Sequence, residues 1–158
     1  YDLVLVDAGS QLAALRDLWH GLGGGRRGEC RVVIVTTAEP IAAAPTYALA
    51  KVLTTRMAAT RVELLVSRAG TDTAAAVYGR FETAVTRFLR RPSRYAGALP
   101  DDPALRDPVL RGVLRDAPPH TLRADADAEE LLHRMLSFPH AAGSAPITNR
   151  FSLHETGT

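Results

Sequence analysis

Residues 31–40 of the chain read RVVIVTTAEP. Val32 to Val35 form a continuous apolar run, which is typical of a strand buried on both faces of a parallel sheet. Pro40 cannot continue such a strand, and it predicts the start of a helix that runs to about Met57. Within that helix, apolar side chains recur at helical spacing at Tyr47, Ala50, Leu53 and Met57. A buried strand followed directly by an amphipathic helix indicates an α/β unit.

The rest of the chain repeats this alternation of strand and helix. Apolar runs predict further strands at Leu3 to Val6, Val62 to Val66 and Tyr95 to Leu99. Helices are predicted over 11–20, after an N-cap at Asp72, over 104–115 and over 127–136. The helix after Asp72 carries an apolar stripe formed by Val77, Phe81, Val85 and Phe88. This order predicts a three-layer α/β fold, with a mostly parallel sheet flanked by helices on both faces.

Length and composition fit one globular domain. The chain has 158 residues, of which 46% are hydrophobic and 23% are charged, and this composition argues against a disordered chain. No apolar run approaches the length of about 18 residues that a membrane-spanning helix needs. The first residues lack the basic segment of a signal peptide. Cys30 is the single cysteine, which excludes an intramolecular disulfide and a multi-cysteine metal site, and a cytoplasmic location is predicted.

Candidate functional residues follow the predicted strands, because parallel α/β sheets bind ligands outside the carboxyl ends of their strands. Asp7 ends the first strand, in the pattern by which a buried strand holds a Mg²⁺-binding carboxylate. The other strand ends carry Thr36, Thr37, Ser67, Arg68, Pro100 and Asp101. Each position also has a structural interpretation, because Asp, Ser and Thr cap helices and form turns. On the pattern alone, the capping role is favoured for Asp7 and for the two threonines.

Taken together, the strand ends match a known family. The strings YDLVLVDAGS, VVIVTTAEP, TYALAKVL, ELLVSRAG and YAGALPDD follow one another within residues 1–136. They resemble the MinD/ParA family of deviant-Walker P-loop ATPases, and most closely the FlhG/FleN-like regulators of flagellar number and placement. The segment with Glu39-Pro40 and Tyr47 to Leu53 is the most specific part. The resemblance implies a P-loop NTPase-like fold, of which residues 1–136 are the C-terminal portion and which is incomplete without an N-terminal part.

The resemblance implies ATP and Mg²⁺ as cofactors. Asp7 matches the family's Walker B aspartate, which implies a catalytic, metal-binding residue that holds Mg²⁺ through water and helps to place the attacking water. Ser67 stands where the family usually has the asparagine that reads the adenine edge, and Pro100 with Asp101 matches the loop that lines the adenine pocket. The implied nucleotide-binding residues are, in chain order, Thr36, Thr37, Ser67, Arg68, Pro100 and Asp101.

The chain departs from the family pattern in three places. Ala8 to Gln11 replaces the family's T-G-A-G, Ala38 replaces a proline, and Ser67 exchanges a bidentate amide for a single hydroxyl. A Walker A loop is not found, because the only lysine, Lys51, follows no glycine-rich loop. ATP hydrolysis is therefore implied only if an upstream Walker A half completes the site.

The function implied by the resemblance is an ATP-dependent dimerisation switch that regulates flagellar number, placement or assembly. ATP binding would join two copies as a homodimer, and the implied partners are a flagellar GTPase and basal-body or transcription components. Two alternatives stay open. The chain is a degenerate pseudo-ATPase that acts as a non-catalytic protein-interaction module, or it is a cellulose- or secretion-associated relative with the same fold.

Two remaining features concern surfaces. Arg80, Arg87, Arg91 and Arg94 fall near one face at helical spacing. A solvated face is the favoured interpretation; DNA phosphates, a membrane surface and an acidic partner are the alternatives, and nucleic acid is not expected as a partner. Residues 137–158 are rich in Ser, Thr, Pro and Gly and predict a poorly ordered tail. This tail lacks the basic amphipathic pattern of a stable membrane anchor.

Overall fold

The computed structural model of the protein describes residues 5–9, 17, 20, 31–56, 61–103 and 123–137. Strands and helices alternate along the chain. In order, the elements are β1 (Arg31–Thr37), a 3-10 turn (Pro40–Ala42), α1 (Ala43–Arg56), β2 (Arg61–Ser67), α2 (Thr71–Leu89), β3 (Arg94–Leu99) and α3 (Arg123–Ser137). The predicted α/β character is confirmed, with a parallel sheet and flanking helices.

The strands β1, β2 and β3 form one parallel sheet in that order. Ile34 lies opposite Leu64, and Thr37 at the end of β1 lies opposite Ser67 at the end of β2. The register between β2 and β3 shifts after Leu64, because an extra residue of β3 bulges there. The strands predicted over 32–35, 62–66 and 95–99 are confirmed, and each falls short of the observed strand by no more than two residues at either end.

Helices α1 and α2 cover one face of the sheet. Side chains alternate between the two faces along a strand, so the even-numbered residues of β1 and β2 point toward these helices. The helices present apolar stripes at helical spacing, and both sets of side chains meet in one buried cluster. That cluster includes Ile34, Val62, Leu64 and Val66 from the strands and Ala50, Leu53, Ala74, Phe81 and Val85 from the helices.

Helix α3 covers part of the other face. Leu131 of α3 packs with Leu65 and Ala96 of the sheet, and these three residues form the buried cluster on this side. The same face carries Glu63, whose side chain is 1% exposed. The Glu63 carboxylate accepts hydrogen bonds from Arg31 Nε (3.0 Å) and Arg31 Nη2 (2.9 Å). Arg31 Nη1 also donates to the backbone oxygen of Met135 (2.6 Å), so the ion pair holds the last turn of α3.

The strand predicted over 3–6 is not found in its described half. Leu5 and Val6 lie in irregular backbone, and they are 78% and 51% exposed. An apolar run becomes a strand only when a neighbouring strand satisfies its backbone hydrogen-bonding groups. Within the described part of the chain, Leu5 and Val6 join none of the three paired strands.

Helix α2 differs from its prediction at both ends. Its N-cap is Gly70, and Asp72 lies inside the first turn, where a carboxylate is favourable beside the helix dipole. Phe81 and Val85 are buried as the apolar stripe predicts, but Phe88 is 65% exposed. In the last turn of the helix, Leu89 rather than Phe88 packs against the buried cluster on this face of the sheet.

Several predictions lie outside the described residues. They concern the helix over 104–115, Cys30 and the chain beyond Ser137. The helix predicted over 11–20 is described at only two positions, Asp17 and His20, and both are helical. The predicted final helix over 127–136 is confirmed and begins earlier, at Arg123. Among the helices that the structure describes, none combines the length and the apolar character needed to cross a bilayer.

Candidate functional site

The carboxyl ends of the three strands lie side by side at one edge of the sheet. Thr37 pairs with Ser67, and Ser67 pairs with Leu99, so the loops that follow the strands begin next to one another. Thr37 and Ser67 are half-buried, and Pro100 follows Leu99 directly. The structure therefore brings together five of the sequence-predicted site residues: Thr37, Ser67, Arg68, Pro100 and Asp101.

Arg68 links the loops after β2 and β3. Its backbone is left-handed, with φ at 58°, a conformation that costs free energy for a residue with a Cβ. Its Nε lies 3.5 Å from Asp101 Oδ1, and both side chains are exposed, at 56% and 40%. An exposed ion pair of this kind contributes about 0–1 kcal/mol. The backbone adds a firmer connection, because the Ala69 amide donates to the Leu99 carbonyl at 3.2 Å.

Glu39 is a member of this edge to which the sequence interpretation gave no role. The pKa of the exposed Glu39 carboxyl is lowered, chiefly by a hydrogen bond from the Thr37 side chain and next by one from the backbone amide of Glu39 itself. The positive charge of Arg68 lowers it further. Glu39 and Arg68 are thus within electrostatic reach of each other across neighbouring loops. The available signal was its position, two residues past the end of β1 in the loop that also provides Thr37.

Thr36 and Thr37 occupy different environments although they are adjacent. Thr36 is 7% exposed, and its hydroxyl oxygen lies 2.7 Å from Thr46 Oγ1. The single hydroxyl proton of Thr46 is donated to the Ala42 carbonyl at 2.6 Å, so Thr36 is the donor in the pair. The Thr36 hydroxyl thereby fastens β1 to α1, while Thr37 points to the opposite face. A nucleotide-binding role for Thr36 stays a prediction.

Asp7 lies outside the sheet, on the described segment 5–9. Its Oδ1 accepts a hydrogen bond from the Gly9 amide at 2.9 Å, and Gly9 has φ at 56°, which glycine adopts without strain. This is an Asx-type turn, the local role that the strand-end pattern favoured. The Mg²⁺-binding and catalytic roles of Asp7 stay predictions.

The implied nucleotide site has a base side and a metal side. On the base side, the Ser67 and Thr37 hydroxyls and the ring of Pro100 can contact a planar, hydrogen-bonding group. On the metal side, Asp7 is the only residue proposed to hold Mg²⁺. Within 5–9, 31–56, 61–103 and the other described positions, no group of three or more His, Cys, Asp or Glu side chains is placed to hold a metal ion. The base contacts and the Mg²⁺-binding role of Asp7 both stay predictions.

Neither the protein-family models nor the curated proteins with which the chain was compared give a match. The resemblance to the MinD/ParA family therefore rests on the motif strings and their order along the chain. The parallel sheet and the shared edge of its strand ends are consistent with that resemblance, and many other α/β proteins have both features.

Proposed function

We propose that the chain is the C-terminal part of a MinD/ParA-like, P-loop NTPase-type switch that dimerises with ATP. The observation that carries the proposal is the convergence of Thr37, Ser67, Arg68, Pro100 and Asp101 at one edge of a parallel sheet. The same residues stand in the motif strings that resemble the family. In an open parallel sheet, the carboxyl edge is where ligands bind.

The roles within this proposal follow from the chemistry of each group. The Ser67 hydroxyl would meet the base edge with one hydrogen bond, and Pro100 and Asp101 would line the base. Thr37 would offer its hydroxyl next to Ser67. Asp7 would hold Mg²⁺, which neutralises phosphate charge when it is bound; its carboxylate has a second oxygen besides the one bonded to Gly9. An upstream Walker A half would complete catalysis.

The cellular side of the proposal follows the family. The switch would act in the cytoplasm as an ATP-dependent homodimer and regulate flagellar number, placement or assembly. Its partners would be a flagellar GTPase and basal-body or transcription components. A cellulose- or secretion-associated role on the same fold is the variant of this proposal that neighbouring genes would distinguish.

A second candidate is a pseudo-ATPase that keeps the fold as a protein-interaction module. Two observations favour it. The Thr36 hydroxyl is used inside the fold, where it bonds Thr46, and the Asp7 carboxylate closes a local turn. The replacement of the family's T-G-A-G by Ala8 to Gln11 points in the same direction.

Titration of the full-length native protein with a fluorescent ATP analogue, with and without Mg²⁺, tests the proposal. Saturable binding is expected. Ser67→Ala should weaken it about fivefold, because one hydrogen bond is worth about 1 kcal/mol, and Ser67→Asn should tighten it. Ser137→Ala is the matched control, since Ser137 bonds the His133 carbonyl on α3, away from the strand ends.

Asp7→Ala separates the two candidates. Loss of the Mg²⁺-dependent part of the binding, with Glu129→Ala unchanged, supports the ATP-dependent switch. Absence of binding by the unmodified protein up to millimolar analogue would exclude it and leave the interaction module.

A further inference from the structure

The C-terminal half of α2 carries a basic patch with an aromatic side chain inside it. We define the α2 basic patch as Arg80, Arg87, Phe88, Arg90 and Arg91. All five side chains are exposed, and Phe88 is exposed to 65%. Arg80 and Arg87 are seven residues apart, about two helical turns, and therefore lie on the same side of the helix. Arg90 caps the C-terminal end of α2 and Arg91 follows it, so the patch consists of the C-terminal half of the helix and the two residues after it.

Phe88 in this patch does not belong to the core. The side of α2 that faces the sheet is occupied by Ala74, Phe81 and Val85, which are all buried. Phe88 lies two turns beyond Phe81, and in this last turn it is Leu89 that packs against the buried cluster. One face of its ring is approached by the Arg87 guanidinium, whose carbon lies 5.3 Å from the ring centroid. This cation–π contact fixes the ring among the arginines and leaves most of it in solvent.

The acidic residues of α2 do not neutralise the patch. Asp72 lies in the first turn, at the opposite end of the helix. Glu82 accepts a hydrogen bond from the Tyr78 hydroxyl at 3.0 Å, on a different side of the helix from Arg80. The helix dipole explains one cation in the last turn, Arg87. It explains neither Arg80, two turns earlier, nor the exposed Phe88.

We propose that the α2 basic patch is a docking surface for an acidic protein segment that carries an apolar side chain. Carboxylates of the partner would pair with the arginines, and the apolar side chain would cover the Phe88 ring. Arginine and aromatic side chains are the residues enriched at the centres of protein–protein interfaces. This surface lies on an outer helix rather than at the strand ends, so the inference is independent of nucleotide binding.

The charges favour a protein segment over nucleic acid. The helical part of the patch, from Arg80 to the end of α2 at Leu89, spans about 13 Å, which is short for the row of phosphate contacts that gives non-specific nucleic-acid binding its strength. The formal net charge of the whole chain is only +2, so long-range attraction of a polyanion is weak. An acidic segment needs only local complementarity and also accounts for Phe88.

NMR titration of the isotope-labelled full-length native protein tests this inference. Three probes are compared: a Glu-rich peptide with one central Leu, the same peptide with Ser in place of Leu, and oligo(dT). The Leu-containing peptide should shift the amide signals of residues 80–91 and should bind at least threefold more tightly than the Ser peptide. Phe88→Ala should remove that difference. The double substitution Arg87→Ala with Arg91→Ala should weaken the binding of both peptides at least tenfold. The remaining binding should depend less on salt concentration.

Arg56→Ala is the matched control, because Arg56 is an exposed arginine in the last turn of α1. It should leave all three affinities unchanged. Because Phe88 is mostly exposed, circular dichroism of Phe88→Ala should match that of the unmodified chain. Absence of signal shifts in residues 80–91, or equal binding of the two peptides, would overturn the inference. Tighter binding of oligo(dT) than of the Leu peptide would assign the patch to nucleic acid instead.

Discussion

Between the sheet and helices α1 and α2 lies a continuous apolar core. Between the sheet and α3, on the other face, the buried apolar cluster has only three residues, and an ion pair of two strand residues lies beside it. The difference is clearest at two neighbours in β2. Leu64 points to the first face and has no exposed surface, while Glu63 points to the second and is 1% exposed. Apolar burial on the first face has no preferred direction, whereas on the second face the hydrogen bonds of Arg31 are directional and connect Glu63 to the last turn of α3.

The largest effect is expected from Arg31→Ala. This change removes both donors to Glu63 and the bond to the Met135 carbonyl, and it leaves the Glu63 carboxylate buried without its cation. Breaking a buried pair in this way costs about 3–5 kcal/mol. Chemical denaturation measures the loss, and hydrogen exchange should show α3 exchanging before the three strands, α1 and α2.

Leu64→Ala is the matched substitution for the opposite face. It should cost about 2–5 kcal/mol through the cavity it leaves, and it should raise exchange in all three strands together. The double substitution Arg31→Met with Glu63→Leu should recover much of the stability that Arg31→Ala loses, because an apolar pair needs no compensating charge. If Arg31→Ala raised exchange in β1, β2 and α3 equally, the proposed division between the two faces would be wrong.

A smaller effect is expected from Gly97→Ala, on the face that α3 covers. Gly97 has φ at 143°, and a Cβ there would lie 2.7 Å from Leu131 Cδ1 and 3.0 Å from Arg134 Nη2. The substitution therefore strains the backbone and pushes α3 away from β3, at a cost of about 1–3 kcal/mol. Thermal and chemical denaturation measure it.

Gly79→Ala is the control for Gly97→Ala. Gly79 lies within α2, is exposed, and an added Cβ would meet nothing within 4 Å. Alanine should therefore stabilise the protein there by about 0.5–1 kcal/mol, through helix propensity. If Gly97→Ala were also neutral or stabilising, the close approach of α3 to β3 would not contribute to the fold.

The sequence predicted the three strands better than the Arg31–Glu63 ion pair that connects the sheet to α3. Continuous apolar runs identified β1, β2 and β3, as is typical of strands in a parallel sheet; burial on both faces holds for β2 but not for β1, where Val35 is 61% exposed. Glu63 interrupts such a run, and nothing in its neighbourhood names its partner. Arg31 precedes it by 32 positions, and the two meet only because the parallel register places β1 beside β2. Register is a tertiary property, so the pair was not predictable from local sequence.

At the candidate site too, the sequence predicted local features but not the contacts between loops. The rule that ligands bind at the carboxyl ends of strands correctly grouped Thr37, Ser67 and Asp101 at one edge. The rule does not distinguish Thr36 from Thr37, although the alternation of side chains along a strand does, since the two must point to opposite faces. Glu39 was missed because its electrostatic interaction with Arg68 crosses from one loop to the next, and loop geometry is not encoded in periodicity.

The smallest effect on stability is expected at Glu39, on the edge formed by the carboxyl ends of the strands. Like Glu63, Glu39 is a carboxylate with polar partners, but it is exposed to water. The Thr37 hydrogen bond, the amide of Glu39 itself and then Arg68 lower the pKa of the Glu39 carboxyl in the folded chain. A lowered folded pKa stabilises the protein above the pKa of the unfolded chain, and this contribution disappears as the pH falls through the folded pKa. NMR titration of the carboxyl carbon follows it.

Thr37→Val keeps the shape of the side chain and removes its hydroxyl, so the pKa of Glu39 should rise toward its ordinary value. Arg68→Met removes only the weakest of the favourable contributions, so it should raise the pKa of Glu39 by less. At a pH low enough to protonate the Glu39 carboxyl in both the folded and the unfolded chain, the Glu39 carboxyl should contribute nothing to the effect of either substitution on the free energy of unfolding. A larger rise in Arg68→Met than in Thr37→Val would mean that charge, rather than hydrogen bonding, dominates this edge. Solvent screening argues against that order, because Arg68 is 56% exposed whereas Thr37 is half-buried.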